Sequence, residues 1–149
     1  MTKESRAPRR RAIELARVLL VDDDLTSRLT LQTVLRAGGY RVDSAASAAE
    51  AVGKLDEAEY ELVLTDLHME SPESGLKVLA HARLMDYKPA TALITTYRDT
   101  RGPKSPAAKT SQMVLIEPRE LPELLTKVAD LVSERATRRV ERGLRHSGS

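Results

Sequence analysis

Short aliphatic runs recur along this chain, and each gives way to polar residues and then to a helix-length segment. Val18–Val21 is the first run, with Leu62–Leu64, Ala92–Ile94 and Met113–Ile116 following at spacings of roughly 20 to 45 residues. Each is near-continuous rather than alternating, which suits strands buried on both faces. Tyr40–Ser44 reads as a further short strand between the first two. Strands of that kind, separated by helices, predict an α/β fold: a parallel sheet with helices on both faces.

The helical segments have ordinary start and stop signals. Leu25–Ala37 places Leu31, Val34 and Leu35 on one face, and Gly38 and Gly39 stand where a helix stops. Ala48–Leu55 and Gly75–Arg83 are the next two helical segments. The last is the most periodic, with Leu121, Leu124, Leu125, Val128, Leu131 and Val132 at intervals of three and four, and Pro122 in its first turn. Its pattern allows a helical continuation through Arg139 or beyond. Between strands four and five, Gly102, Pro103 and Pro106 disfavour an uninterrupted helix over 98–111.

Composition removes several alternatives. The chain of 149 residues has no Cys, so a disulfide framework, a thiol nucleophile and a cysteine-ligated metal are all excluded. With no Trp or Phe, the core must be built mainly from aliphatics. No aliphatic run exceeds four residues, whereas a membrane-spanning helix needs about 20 apolar residues. A charged N-terminus in place of an apolar export segment predicts a cytoplasmic protein. The net charge of +2 is unevenly spread: residues 1–17 carry +4, residues 133–149 carry +3, and residues 18–132 carry −5. Three parts are expected: a basic N-terminal tail (1–15), one domain (16–132), and a basic extension (133–149), partly helical and then disordered. A nucleic-acid reader would concentrate its positive charge on the folded element that reads. Here it lies at the ends, and solubilisation is the plainer expectation for it.

In parallel α/β sheets the functional crevice lies beyond the carboxyl ends of the strands. Strand one is followed by Asp22, Asp23 and Asp24, strand three ends in Asp66, strand four is followed by Thr95 and Thr96, and strand five by Glu117 and Pro118. Carboxylates converging on one edge repel unless a cation or protons intervene. Hard oxygen donors with room for water suit Mg²⁺. The same turn, with three acids and no glycine where phosphate-binding turns expose backbone N–H groups, would repel a nucleotide or flavin phosphate unless a metal intervened, which argues against a dinucleotide-binding or flavodoxin-like enzyme.

Val18-Leu-Leu-Val-Asp-Asp-Asp24, Leu62-Val-Leu-Thr-Asp-Leu-His-Met69, Ala92-Leu-Ile-Thr-Thr-Tyr97 and Ile116-Glu-Pro118 together resemble the blocks of a receiver domain of two-component response regulators. The likeness covers about residues 16–132. It implies a flavodoxin-like, doubly wound five-stranded sheet of order 2-1-3-4-5, here with an irregular fourth helix. It also implies phosphorelay signalling, with a phosphoryl group accepted on Asp66. Asp66, Thr95 and Asp22 would form the reacting set. Asp22, Asp23, Asp66 and the backbone carbonyl of His68 would serve Mg²⁺, Asp22 from its outer shell. The implied partners are a sensor histidine kinase or histidine phosphotransfer protein and a downstream protein, with no DNA-binding domain in the chain; a homodimer stays open. Turnover would be limited to Mg²⁺-dependent self-phosphorylation and autodephosphorylation.

This sequence departs from the family pattern at three places. Glu117 stands where a lysine usually precedes the proline after strand five, and Arg98, Lys109 and Arg119 are the candidates to replace that charge. Val114 occupies the usual aromatic switch position, with Tyr97 nearby. The loop from Asp66 to Gly75 is one residue longer than usual. These departures keep a second reading open, a pseudo-receiver acting as a phosphorylation-independent interaction module.

Overall fold

The computed structural model describes residues 15–66, 69, 71, 73–94, 115–116 and 121–147. In chain order the elements are β1 (Arg17–Val21), α1 (Leu25–Ala37), β2 (Arg41–Ala45), α2 (Ala48–Glu57), β3 (Leu62–Asp66), α3 (Ser74–Arg83), β4 (Ala90–Ile94), β5 (Leu115–Ile116) and α4 (Leu121–Ser147). All strand pairs are parallel. Four five-residue strands lie in the order β2-β1-β3-β4, and the two-residue β5 pairs beyond β4. The chain steps from β1 outward to β2 and then returns to β3 on the other side of β1. That reversal opens a crevice at the carboxyl ends of β1 and β3.

Strand periodicity divides the core in two. Val18 and Leu20 of β1, with Leu62 and Leu64 of β3, face Leu31 and Leu35 of α1 and Leu124 and Val128 of α4. Leu19, Val21 and Val63 point the other way, onto Ala51 and Leu55 of α2 and Val78, Leu79 and Ala82 of α3. This explains the unbroken aliphatic runs, because Val18–Val21 of β1 and all of β3 are buried between the helix layers. A fully buried leucine contributes about 1.5–3 kcal/mol relative to an exposed one.

The helix ends follow local chemistry. Asp24 caps α1, its Oδ2 accepting the Ser27 N–H at 2.9 Å. At the other end Gly39 takes φ +103°, and the Gly39 and Tyr40 N–H groups donate to the carbonyls of Arg36 and Leu35. This Schellman closure requires a residue free to enter the left-handed region. Ser47 caps α2 by accepting the Glu50 N–H at 3.1 Å.

Helix α4 runs on to Ser147, well past Val132, the last of its residues packed against the core. Arg135 anchors it by donating Nε to the Lys88 carbonyl at 2.9 Å and a terminal N–H to the Tyr87 carbonyl at 2.6 Å. Arg139 adds a bond to the same Tyr87 carbonyl at 3.0 Å. Segment 98–111, where an irregular fourth helix is expected, lies outside the described residues, as do residues 1–14.

Candidate functional site

Register brings the acidic residues together. Val21 pairs with Thr65, so Asp22, next along from β1, stands abreast of Asp66 at the end of β3. Asp22 and Asp66 are 1% and 2% exposed, while Asp23 is open to solvent. Each of the three offers a carboxylate oxygen within 4.8 Å of the others. Asp24, although adjacent in sequence, is committed to capping α1 through its side chain. Its backbone N–H donates to Asp22 Oδ1 at 2.9 Å. Arg28 comes back from α1 to donate to the Asp22 backbone carbonyl at 2.7 Å, which anchors the turn without neutralising the carboxylate.

Burial pushes the Asp22 carboxyl above the ordinary carboxylate value. The Asp24 N–H opposes that rise, the charge of Asp23 adds to it, a hydrogen bond with Asp66 opposes it, and the Asp24 charge adds again. Desolvation prevails. Asp22 Oδ2 is buried and has no hydrogen-bond partner among the described residues. A buried anionic oxygen without a donor is costly, and a hard divalent cation relieves that cost. The donor set of carboxylate oxygens, two buried and one exposed, fits Mg²⁺ with water completing its shell.

The first turn of α3 packs against the end of β3. A Cβ on Gly75 would stand 2.8 Å from the Asp66 backbone oxygen and 3.4 Å from Thr65 Oγ1. Only a glycine admits that approach. The hydroxyls of Ser71 and Ser74 meet at 2.8 Å, tying the loop to the start of α3.

Of the residues expected at the site, Asp22, Asp23 and Asp66 converge. His68 and Thr95 lie outside the described residues, as do Tyr97, Val114 and Glu117. Away from the site, His81 Nε2 lies 2.8 Å from Asp56 Oδ1, across α2 and α3. The seating of Gly75 and the hold of Arg28 on the β1–α1 turn went unread in the sequence. A glycine in the first turn of a helix, where it costs helix stability, was the available signal for the first.

A family model, the response regulator receiver domain, matches residues 18–128, and the chain belongs to that family. Among curated relatives, the transcriptional regulatory protein ZraR of Klebsiella oxytoca is 32% identical over 80 residues, 54% of this chain and 18% of that protein. The chain thus spans under a fifth of that relative's length. Among solved structures, a response regulator receiver protein from Sinorhizobium medicae superposes with a TM-score of 0.69 at 25% identity, covering 82% of this chain and 98% of that one. The response regulator TrrA of Thermotoga maritima, in complex with Mg²⁺ and BeF, gives a TM-score of 0.63 at 29% identity, covering 78% and 99%.

The cluster of Asp22, Asp23 and Asp66 is therefore a receiver-domain phosphoacceptor site. Its carboxylates are consistent with Mg²⁺-dependent self-phosphorylation and dephosphorylation of an aspartate. Among the described residues, no helix is long and apolar enough to cross a membrane.

Proposed function

We propose that this chain is an atypical receiver module that takes a phosphoryl group from a sensor histidine kinase or histidine phosphotransfer protein onto Asp66. The convergence of two buried carboxylates and one exposed carboxylate at the end of β1 and β3 carries the reading. Asp66 stands at the crevice, where its carboxylate attacks phosphorus as the P–N bond of a phosphohistidine breaks and the donor nitrogen keeps the electron pair. Asp23 and Asp66, with the backbone carbonyl of His68, would hold Mg²⁺, and Asp22 would support its outer shell. When bound, such an ion would offset the negative charge that the carboxylate and the phosphoryl group bring together. Thr95 donates its hydroxyl to the acyl phosphate once it has formed.

Glu117 makes the module atypical. At the usual lysine position it removes a cation and adds an anion near the phosphoryl group, which opposes transfer. Val114 gives no hydroxylated ring to swing between buried and exposed positions. The response to phosphorylation is accordingly small. The downstream partner is a protein met in the cytoplasm, and residues 1–15 and 133–149 flank the 16–132 domain as basic segments.

Incubation of the full chain with a small phosphodonor and Mg²⁺, followed by intact mass measurement, tests the assignment. One phosphoryl adduct is expected on the native chain and none on Asp66→Ala. Glu117→Gln and Glu117→Lys should raise the initial rate in that order. A native chain that binds Mg²⁺ but never gains the adduct, even as Glu117→Lys, would favour the pseudo-receiver, a reading that Glu117 already motivates.

A further inference from the structure

Helix α4 changes character along one face. Leu124, Val128 and Leu131 pack on the sheet, and the same face continues past the sheet edge as Arg135, Arg138, Arg139 and Arg142. Arg135 and Arg139 hold the helix to the α3–β4 loop at the Tyr87 and Lys88 carbonyls. Arg138, Arg139 and Arg142 are solvent-exposed. Arg139 and Arg142 share a small surface cavity of about 160 Å³ with Asp86 and Lys88.

The other side of that loop has the opposite sign. A groove of about 410 Å³ runs between the C-terminal ends of α2 and α3, lined by Asp56, Glu57, Glu59 and Asp86 and by no lysine or arginine. The negative ends of two helix dipoles point into it. On its rim Leu84 is 74% exposed. The acidic groove and the arginine helix therefore adjoin on one surface, meeting at Asp86 and Tyr87.

We propose that this surface binds a second copy of the chain about a two-fold axis, with the arginine helix of each protomer laid along the acidic groove of the other. Adjoining patches of opposite sign are self-complementary under a two-fold, which sets each against its complement twice. A purely acidic partner such as nucleic acid satisfies the arginines but is repelled by Glu57, Glu59 and Asp86 alongside. A purely basic partner meets the converse repulsion. The aliphatic stems of Arg138 and Arg142 give the exposed Leu84 an apolar cover. The surface lies at the amino ends of β3 and β4, across the sheet from Asp66, so pairing does not require phosphorylation. Exposed ion pairs contribute modestly and are screened by salt, which makes the dimer weak and salt-sensitive.

Sedimentation equilibrium of the full, unphosphorylated chain at low and high ionic strength tests this. A monomer–dimer equilibrium at low salt is expected, with Kd raised about tenfold or more by either Arg138→Glu/Arg142→Glu or Glu57→Lys/Glu59→Lys. The neutral pairs Arg138→Gln/Arg142→Gln and Glu57→Gln/Glu59→Gln, which disturb the helices least, should weaken it by a smaller factor. Combining both charge reversals in one chain should return Kd toward the native value, a rescue that mere loss of structure cannot produce. A native chain that stays monomeric at low salt overturns the proposal. So does a dimer indifferent to all these variants, or a combined variant as weak as its parents.

Discussion

The α-carbon of Gly75 approaches the backbone of Asp66 so closely that a Cβ there would lie 2.8 Å from the Asp66 carbonyl oxygen. Asp66 is thus positioned from two directions, by its place at the end of β3 and by the first turn of α3 pressed against its peptide. Gly75→Ala would drive that turn away, because the obstructing atom belongs to backbone rather than to a flexible side chain.

The expected cost of Gly75→Ala is about 1–3 kcal/mol, typical of overpacking a closed site, despite the better helix propensity of alanine. Urea unfolding measures it, and Mg²⁺ titration should show a parallel loss of affinity as Asp66 shifts. A variant as stable as the native chain, with native metal affinity, would show that α3 yields without moving Asp66.

Asp43 supplies a pH-dependent part of the stability. It accepts from Tyr60 Oη at 2.8 Å and from two Arg17 nitrogens at 2.9 and 3.3 Å. Desolvation raises its pKa, but the hydrogen bonds from Tyr60 and Arg17 and the charges of Arg17 and Arg41 outweigh it, and the net value falls below the ordinary 3.8. A lowered folded pKa means the stabilisation is complete above the unfolded value and is lost as pH falls through the folded one. Tyr60→Phe should therefore destabilise by about 1 kcal/mol near neutral pH, after allowance for partial exposure. The native and Tyr60→Phe stability curves should converge as pH drops below 3.8. Curves that stay parallel down through that range would place the contribution of Tyr60 in packing instead.

Arg135 ties the outer part of α4 to the domain. Its guanidinium reaches two successive carbonyls, of Tyr87 and Lys88, and a single ammonium cannot reproduce that fork. Arg135→Lys and Arg135→Ala should each lower stability by about 1–2 kcal/mol. Amide exchange should accelerate over residues 133–147, because a helix end without tertiary contacts is marginal in water. Unchanged exchange in Arg135→Ala would mean that Arg139 and helix propensity suffice.

Much of this architecture is legible in the sequence because burial on both faces leaves unbroken aliphatic runs. Val18–Val21 and Leu62–Leu64 fix two strands, and the acids that follow them fix the crevice. Gly38 and Gly39 mark the end of α1 at Ala37. Contacts between a side chain and a distant carbonyl have no such periodicity. Arg135 and Arg139 read as solubilising charge, yet they bond to carbonyls 47 to 52 residues away. Likewise a lone glycine in a helical segment gives no indication of which backbone it touches, and Gly75 acquires its meaning only when α3 lies on β3.

Asp22 exposes the conflict between stability and site chemistry. Its carboxylate is buried beside Asp66, near the exposed Asp23, with one oxygen lacking a hydrogen-bond partner among the described residues. Folding without a cation must desolvate that charge and hold it against its neighbours, so the group costs stability in the metal-free protein. Asp22→Asn keeps the shape, removes the charge and can donate to Asp66. It should raise metal-free stability at neutral pH by about 1–2 kcal/mol. The same substitution should weaken Mg²⁺ binding, so that the rise in thermal midpoint on adding Mg²⁺ becomes smaller than in the native chain. Thermal unfolding of both proteins, with and without Mg²⁺, measures the two effects together. A variant less stable than the native chain without metal would mean that the bond from the Asp24 N–H to Asp22 Oδ1 outweighs repulsion. An unchanged response to Mg²⁺ would remove Asp22 from the metal site, whatever its effect on folding.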